Sequence, residues 1–113
     1  MGKSTNVNDG LSGVERMLGE ARRLHESGRL DEAQAVYRAI LEAAPATPDA
    51  LHLLGVLMQQ RGRFDMAESL IRSALALESR PADYWYHLGA ALAALGKPGA
   101  AVDAYRAAVD RSP

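Results

Sequence analysis

The stretch DYWYHLGAALAALGKPGAAVDAYRAAVDRSP, residues 83–113, decides the fold. Apolar and small side chains recur in it at spacings of three and four residues, first over 85–92 and then over 101–108. This period is that of an amphipathic α-helix, and Gly96 lies between the two runs, where a left-handed helix end is expected. The stretch therefore predicts two helices joined by a tight turn.

The same pattern occurs twice more upstream at a constant period. Gly28, Gly62 and Gly96 are separated by about 34 residues. Further ladders at this period are formed by Leu54-Gly55 and Leu88-Gly89, by Ala33, Ala67 and Ala101, and by Tyr37, Ile71 and Tyr105. Repeats of this length indicate stacked supersecondary units. The sequence thus predicts an all-α fold of six antiparallel helices in three tandem hairpins.

The last hairpin also matches a known consensus. The pattern W-x2-L-G-x2-Y…A-x3-F…P of the tetratricopeptide repeat is matched in order by Trp85, Leu88, Gly89, Leu92, Ala101, Tyr105 and Pro113. The chain resembles this family over residues 14–113, and it resembles in particular the N-terminal repeat module of longer bacterial proteins. The resemblance implies a right-handed α-solenoid with repeats at about 14–47, 48–81 and 82–113. We expect a single domain at 12–113 behind a flexible leader at 1–11.

Helix starts are predicted from capping residues. Ser12 with Glu15 three residues later forms a capping box. Asp31 and Asp65 are expected as N-caps of the second helix in the first two hairpins, and the Thr47 hydroxyl as the cap of the third helix. The turn of the third hairpin lacks such an acidic cap.

Composition limits the partner and the compartment. Thirteen basic and fourteen acidic side chains give a formal net charge of −1, which favours neither nucleic acid nor an anionic membrane. The sequence contains no cysteine, which excludes disulfides and thiolate metal ligands and favours the cytoplasm. No secretory signal or membrane span is visible at the N-terminus.

No set of residues has the spacing of a catalytic or metal site. His25, His52 and His87 occupy different places in their repeats and form no pair four residues apart, so we interpret them as surface or groove-edge histidines. Most carboxylates in first helical turns are explained by capping and the helix dipole. We therefore expect no catalytic residue, no cofactor and no metal within this chain.

The family resemblance implies a concave groove lined by the first helix of each hairpin. Its groove positions correspond here to Glu15, Leu18, Arg22, His25, Asp49, His52, Val56, Gln59, Asp83, Tyr86, Ala90 and Ala93. As peptide-binding residues we predict Leu18, Arg22, His25, His52, Val56, Gln59, Tyr86 and Ala90. Mixed apolar and polar side chains, with Tyr86 and His52 available to stack and hydrogen-bond, suit a peptide of modest affinity.

Two family specialisations are not matched. The Lys/Asn/Arg clamp for C-terminal carboxylates would have only Arg22, and the asparagine ladder of O-GlcNAc transferase arrays is replaced by Gly19, Leu53 and His87. The predicted function is a non-catalytic scaffold that binds a protein or peptide. Two alternatives stay open: the repeat module of a larger glycosyltransferase, sulfotransferase or methyltransferase, and self-association into a homo-oligomer through an uncapped C-terminal hairpin.

Overall fold

The computed structural model of the protein describes residues 12–112, which form six α-helices and no β-strand. The helices are α1 (Gly13–Glu26), α2 (Leu30–Ala43), α3 (Pro48–Gln60), α4 (Phe64–Leu77), α5 (Ala82–Ala94) and α6 (Pro98–Arg111). This confirms the predicted all-α class and the number of helices. The leader expected at 1–11 and the consensus match at Pro113 lie outside the described residues.

Consecutive helices pack as hairpins within two compact units. The first unit ends at Pro45 and holds the hairpin α1–α2, and the second begins at Ala46 and holds α3 to α6. In the second unit α4 also packs against α5, and α3 contacts α5. The first helices of its two hairpins are therefore neighbours, which determines where the side chains discussed below meet. The single-domain boundary at 12–113 stays a prediction.

The capping box of α1 and the three turn glycines lie where the sequence predicted them. The Ser12 hydroxyl accepts from the Glu15 N–H at 3.1 Å, and the Glu15 carboxylate accepts from the Ser12 N–H at 2.8 Å. Gly28, Gly62 and Gly96 have φ values of +82°, +79° and +76°. Glycine is the residue that adopts this left-handed conformation without a steric penalty, so the 34-residue ladder of glycines marks the three turns.

The predicted caps at the turns are wrong in their register. The N-cap positions of α2 and α4 are Arg29 and Arg63, and no side chain caps either helix. Asp31 and Asp65 instead lie inside the first turn, because the helices begin two residues earlier than predicted. There a carboxylate stabilises the helix through the macrodipole. Thr47 is the N-cap of α3, but its hydroxyl makes no capping hydrogen bond.

Small residues allow the helices of the second unit to approach closely. A Cβ atom added to Gly55 would lie 2.7 Å from Cγ1 of Ile71, and one added to Gly89 would lie 2.8 Å from the ring of Tyr105. The core they border is formed by Ile71, Leu88, Leu92, Ala101 and Ala104, with Leu75, Trp85 and Tyr105 packed against it. Close helix packing of this kind holds α5 and its exposed face in a fixed position.

Candidate functional site

Five aromatic and imidazole rings of the second unit form a continuous row across α3, α5 and α6. In order they are Tyr84, His52, His87, Tyr86 and Tyr105, and we refer to them as the ring row. Successive ring centroids lie 4.4, 4.9, 5.2 and 5.7 Å apart, and the first pair is stacked. At these separations neighbouring rings are in favourable contact. The row thus links a buried end at Tyr84 to an exposed part at Tyr86.

Hydrogen bonds fix the buried end of the ring row. The Tyr84 hydroxyl donates to the Asp49 carboxylate. His52 Nε2 lies 2.9 Å from His87 Nδ1, which also lies 2.9 Å from the Asp83 carbonyl oxygen. Because each imidazole is held through a nitrogen, neither ring rotates freely about its side chain. The exposed part of the ring row is therefore packed against side chains that hydrogen bonds hold in place.

Exposure changes sharply along the row. Tyr84 is 2% exposed and His52 3%, whereas Tyr86 is 54% exposed. The interpretation of His52 as an accessible surface or groove-edge residue is therefore wrong: the Tyr84 ring stacks over it and His87 bonds to it. His52 supports the surface from below, and Tyr86 is the member of the row that a ligand can reach.

The electrostatics of Tyr84 reflect its position. Burial is the main cause that raises the pKa of the Tyr84 phenol above its usual value, and the hydrogen bond to Asp49 raises that pKa further. The neutral phenol is therefore the stable form, and it keeps its proton as the donor to Asp49. This bond joins α5 to α3.

The remaining predicted residues of the second unit lie on the same two helices. Val56 and Gln59 on α3 and Ala90 on α5 are half-buried. The amide oxygen of Gln59 is buried and accepts no hydrogen bond from the part of the chain that the structure describes. Their role in binding stays a prediction.

The predicted residues of the first unit lie on α1. Leu18 and His25 are half-buried and Arg22 is exposed. His25 Nδ1 lies 3.0 Å from the hydroxyl of Tyr37, whose pKa burial raises to about 12. That these three residues join those of the second unit in one groove stays a prediction.

Sequence reasoning missed three residues of the ring row, and it did not predict their anchor Asp49 as a binding residue. Tyr84, His87 and Tyr105 were not predicted as site residues, and Asp49 was placed at a groove position but not among the predicted peptide-binding residues. Both cross-helix hydrogen bonds join residues 35 apart, Asp49 to Tyr84 and His52 to His87. A search for polar side chains separated by 35 residues, which is one repeat plus one residue, could therefore have identified both pairs.

Two further features concern the described residues only. Within 12–112, no group of three or more His, Cys, Asp or Glu side chains is placed to hold a metal ion. In the same range every helix is too short or too polar to cross a membrane.

Family models agree with the repeat pattern. Two models described as tetratricopeptide repeat match residues 57–113 and 14–57. Tetratricopeptide repeat protein 7B of Homo sapiens is 30% identical over 83 residues, which is 74% of this chain and 10% of that protein. The chain therefore spans about a tenth of the length of this relative.

Solved structures show the same fold. An O-GlcNAc transferase mutant of Thermobaculum terrenum superimposes with a TM-score of 0.86 at 31% identity over 88% of this chain and 19% of that chain. The first tetratricopeptide repeat region of Spaghetti, bound to an HSP90 peptide, gives 0.84 at 24% identity, covering 88% and 79% of the two chains. The Yersinia enterocolitica chaperone SycD, in complex with a peptide of the translocator YopD, gives 0.80 at 18% identity, covering 86% and 74%.

Proposed function

The chain belongs to the tetratricopeptide repeat family, and we propose that it is a non-catalytic scaffold that binds a peptide or protein segment at the exposed part of the ring row. The observation that carries this proposal is Tyr86, a large aromatic side chain that is 54% exposed although both neighbouring rings of the row contact it. Tyrosine supplies a large amphipathic contact area at low entropic cost, and it is enriched in binding hot spots.

The side chains that pack against Tyr86 favour the same function. His87 is held by His52 and by the Asp83 carbonyl, and Tyr105 packs against the core of the second unit. A surface that is rigid before binding loses little conformational entropy when the partner arrives. Spaghetti and SycD, which share this fold, are each solved with a bound peptide, and this supports a peptide or protein as the ligand here.

The test compares two exposed apolar side chains of the second unit. Partners are captured with the wild-type chain, the bound segment is mapped and synthesised, and its Kd is measured by fluorescence anisotropy. Tyr86→Ala is expected to weaken binding at least about 10-fold, which corresponds to about 1.4 kcal/mol. Leu77→Ala is the control, because Leu77 is 49% exposed and lies outside the ring row.

Thermal unfolding of both variants is measured alongside. Since Tyr86 is mainly exposed, its removal is expected to leave the midpoint close to that of the wild type. Equal affinity of the wild type and Tyr86→Ala for the mapped segment would contradict the proposal.

A second candidate function has one observation in its favour. The chain is 31% identical to the part of a Thermobaculum terrenum O-GlcNAc transferase on which it superimposes, and it covers 19% of that chain. On this reading the chain is the repeat module of a larger enzyme whose catalytic domain lies elsewhere. Sequencing the reading frame beyond Pro113 tests it: a transferase domain in frame supports this candidate, and an immediate stop codon contradicts it.

Two finer expectations accompany the main proposal. We infer a cytoplasmic location from the absence of cysteine, and a fluorescent fusion examined after cell fractionation tests it. With a formal net charge of −1 the chain is not expected to bind nucleic acid or anionic vesicles, which a gel-shift and a vesicle-sedimentation assay would test.

A further inference from the structure

The last hairpin has an open apolar cleft of about 560 Å³ beside Tyr86. Its lining is formed by Ala82, Asp83, Tyr86, Tyr105, Ala108, Val109 and Ser112. Val109 is 72% exposed, which makes it the most exposed large apolar side chain of the described residues. Among the described lining residues, Asp83 is the only charged one. The cleft thus combines an apolar floor with one carboxylate at its edge.

The equivalent surface of the preceding hairpin, α3–α4, is covered by a helix. The positions one repeat earlier than Asp83, Tyr86, Tyr105, Ala108 and Val109 are Asp49, His52, Ile71, Ala74 and Leu75. Ile71 and Ala74 are fully buried and His52 is 3% exposed. These positions are covered because α5 packs over them. The cleft of the last hairpin is therefore equivalent to a surface that binds a helix one repeat earlier, and no other described helix packs over it.

The contacts that α5 makes with the α3–α4 hairpin indicate which side chains a ligand of the cleft would need. Its Tyr84 hydroxyl donates to Asp49, and the Tyr84 ring stacks on His52. Leu88 and Leu92, one and two turns later, belong to the same buried cluster as Ile71. An aromatic donor and two leucines spaced four residues apart thus form one apolar face of a helix.

We propose that the cleft binds an amphipathic helix of a partner protein with the pattern of α5: a tyrosine followed by leucines four and eight residues later. The tyrosine hydroxyl donates to Asp83, as Tyr84 donates to Asp49, and the leucines pack on Tyr105, Ala108 and Val109. Asp83 selects a neutral or cationic donor and disfavours an acidic segment, because like charges repel at an interface. This inference rests on the proposed function, since it specifies the partner segment.

The first experiment uses a helix of known sequence as the probe. A stapled, fluorescent peptide with the sequence of residues 81–95, PADYWYHLGAALAAL, is titrated with the full chain. The staple is needed because an isolated helix of this length is marginal in water. Val109→Lys is expected to weaken binding at least about 10-fold, because the lysine ammonium would have to be buried in the cleft.

A matched control lies on the same helix. Val102 is 46% exposed but does not line the cleft, so Val102→Lys is expected to change the Kd less than about twofold. Both valines are exposed, so both variants are expected to fold, which circular dichroism verifies. No saturable binding of the stapled helix to the wild type, or equal losses in the two variants, would overturn the proposal.

The predicted hydrogen bond is tested by a double-mutant cycle. Tyr84→Phe in the peptide is expected to weaken binding to the wild-type chain several-fold and to have less than a twofold effect on the Asp83→Asn chain. Equal effects on both chains would overturn the assigned contact. Concentration-dependent dimerisation of the chain that Val109→Lys abolishes would assign the cleft to a second copy and would also overturn the proposal.

The outcomes separate this proposal from the function on which it rests. A chain that captures a partner through Tyr86 but does not bind the stapled helix would overturn the helix proposal alone. Binding of the stapled helix, without capture of any partner that depends on Tyr86, would support the helix proposal and contradict the proposed capture of a partner through Tyr86.

Discussion

The buried imidazole of His52 has the imidazole of His87 as a hydrogen-bond partner. His87 Nδ1 lies 2.9 Å from His52 Nε2 and 2.9 Å from the Asp83 carbonyl oxygen. A carbonyl oxygen only accepts, so Nδ1 of His87 carries a hydrogen, and this one N–H is shared between the Asp83 carbonyl oxygen and Nε2 of His52 as acceptors. The arrangement meets the requirement that a buried polar group has a partner. It also explains why a histidine at this position is compatible with almost complete burial.

Tyr37 and Tyr84 give a prediction about alkaline pH. Burial raises the pKa of Tyr37 to about 12, and the pKa of Tyr84 is raised by burial and by its bond to Asp49. An unfolded tyrosine has a pKa of about 10, so the folded state holds both phenolic protons more tightly. Their contribution to stability is complete below about pH 10 and is lost as the pH rises through the folded pKa.

The measurement is the free energy of unfolding in urea between pH 9 and pH 12. We expect Tyr37 alone to account for a decrease of about 2–3 kcal/mol over this range. Tyr37→Phe should be less stable at pH 9 but should lose less stability as the pH rises. Parallel decreases in the two proteins would contradict the assignment.

The helices show how much of the fold could be predicted from sequence. The glycine ladder and the apolar periods predicted six helices, because a left-handed turn and a 3.6-residue period leave direct traces in residue type. The caps predicted at Asp31 and Asp65 lie two positions beyond the observed N-caps, since aspartate is favoured both as a cap and in the first turn. The contact of His52 with His87 depends on how neighbouring helices are staggered, which no single-helix pattern records.

Two glycines in different helices are predicted to respond in opposite ways to alanine. An added Cβ at Gly19 in α1 has no heavy atom of other described segments within 4 Å, whereas at Gly89 in α5 it would lie 2.8 Å from the Tyr105 ring. Gly19→Ala is expected to stabilise the chain by up to about 1 kcal/mol through helix propensity. Gly89→Ala is expected to destabilise it by about 1–2 kcal/mol, because overpacking exceeds the same gain.

Urea unfolding of the two variants tests this difference. If Gly89→Ala were as stabilising as Gly19→Ala, the close approach of α5 and α6 would not be a constraint on the packing. A larger side chain at position 89, such as valine, should then also be tolerated. On the present account, by contrast, we expect Gly89→Val to be more destabilising than Gly89→Ala.

At the scale of the whole molecule, the second unit carries the proposed function. Its internal repeat places one face of the α3–α4 hairpin under α5, whereas no other helix within 12–112 packs over the equivalent face of the α5–α6 hairpin. The sequence predicted Tyr86 as a site residue from its repeat position. It could not indicate that His52, one repeat earlier, is buried, because repeat position defines which side of a helix a residue is on but not what covers that side.

The most direct test of the central claim, that the surface around Tyr86 binds a partner segment, is a footprint by nuclear magnetic resonance. The ¹⁵N-labelled full chain is titrated with the mapped segment of a captured partner, and the amide shifts are followed. We predict the largest shifts in α5 and the last two turns of α6, and their loss in Tyr86→Ala. Shifts concentrated around Leu77 and Met66, the two exposed large apolar side chains of α4, and unchanged by Tyr86→Ala, would contradict the account.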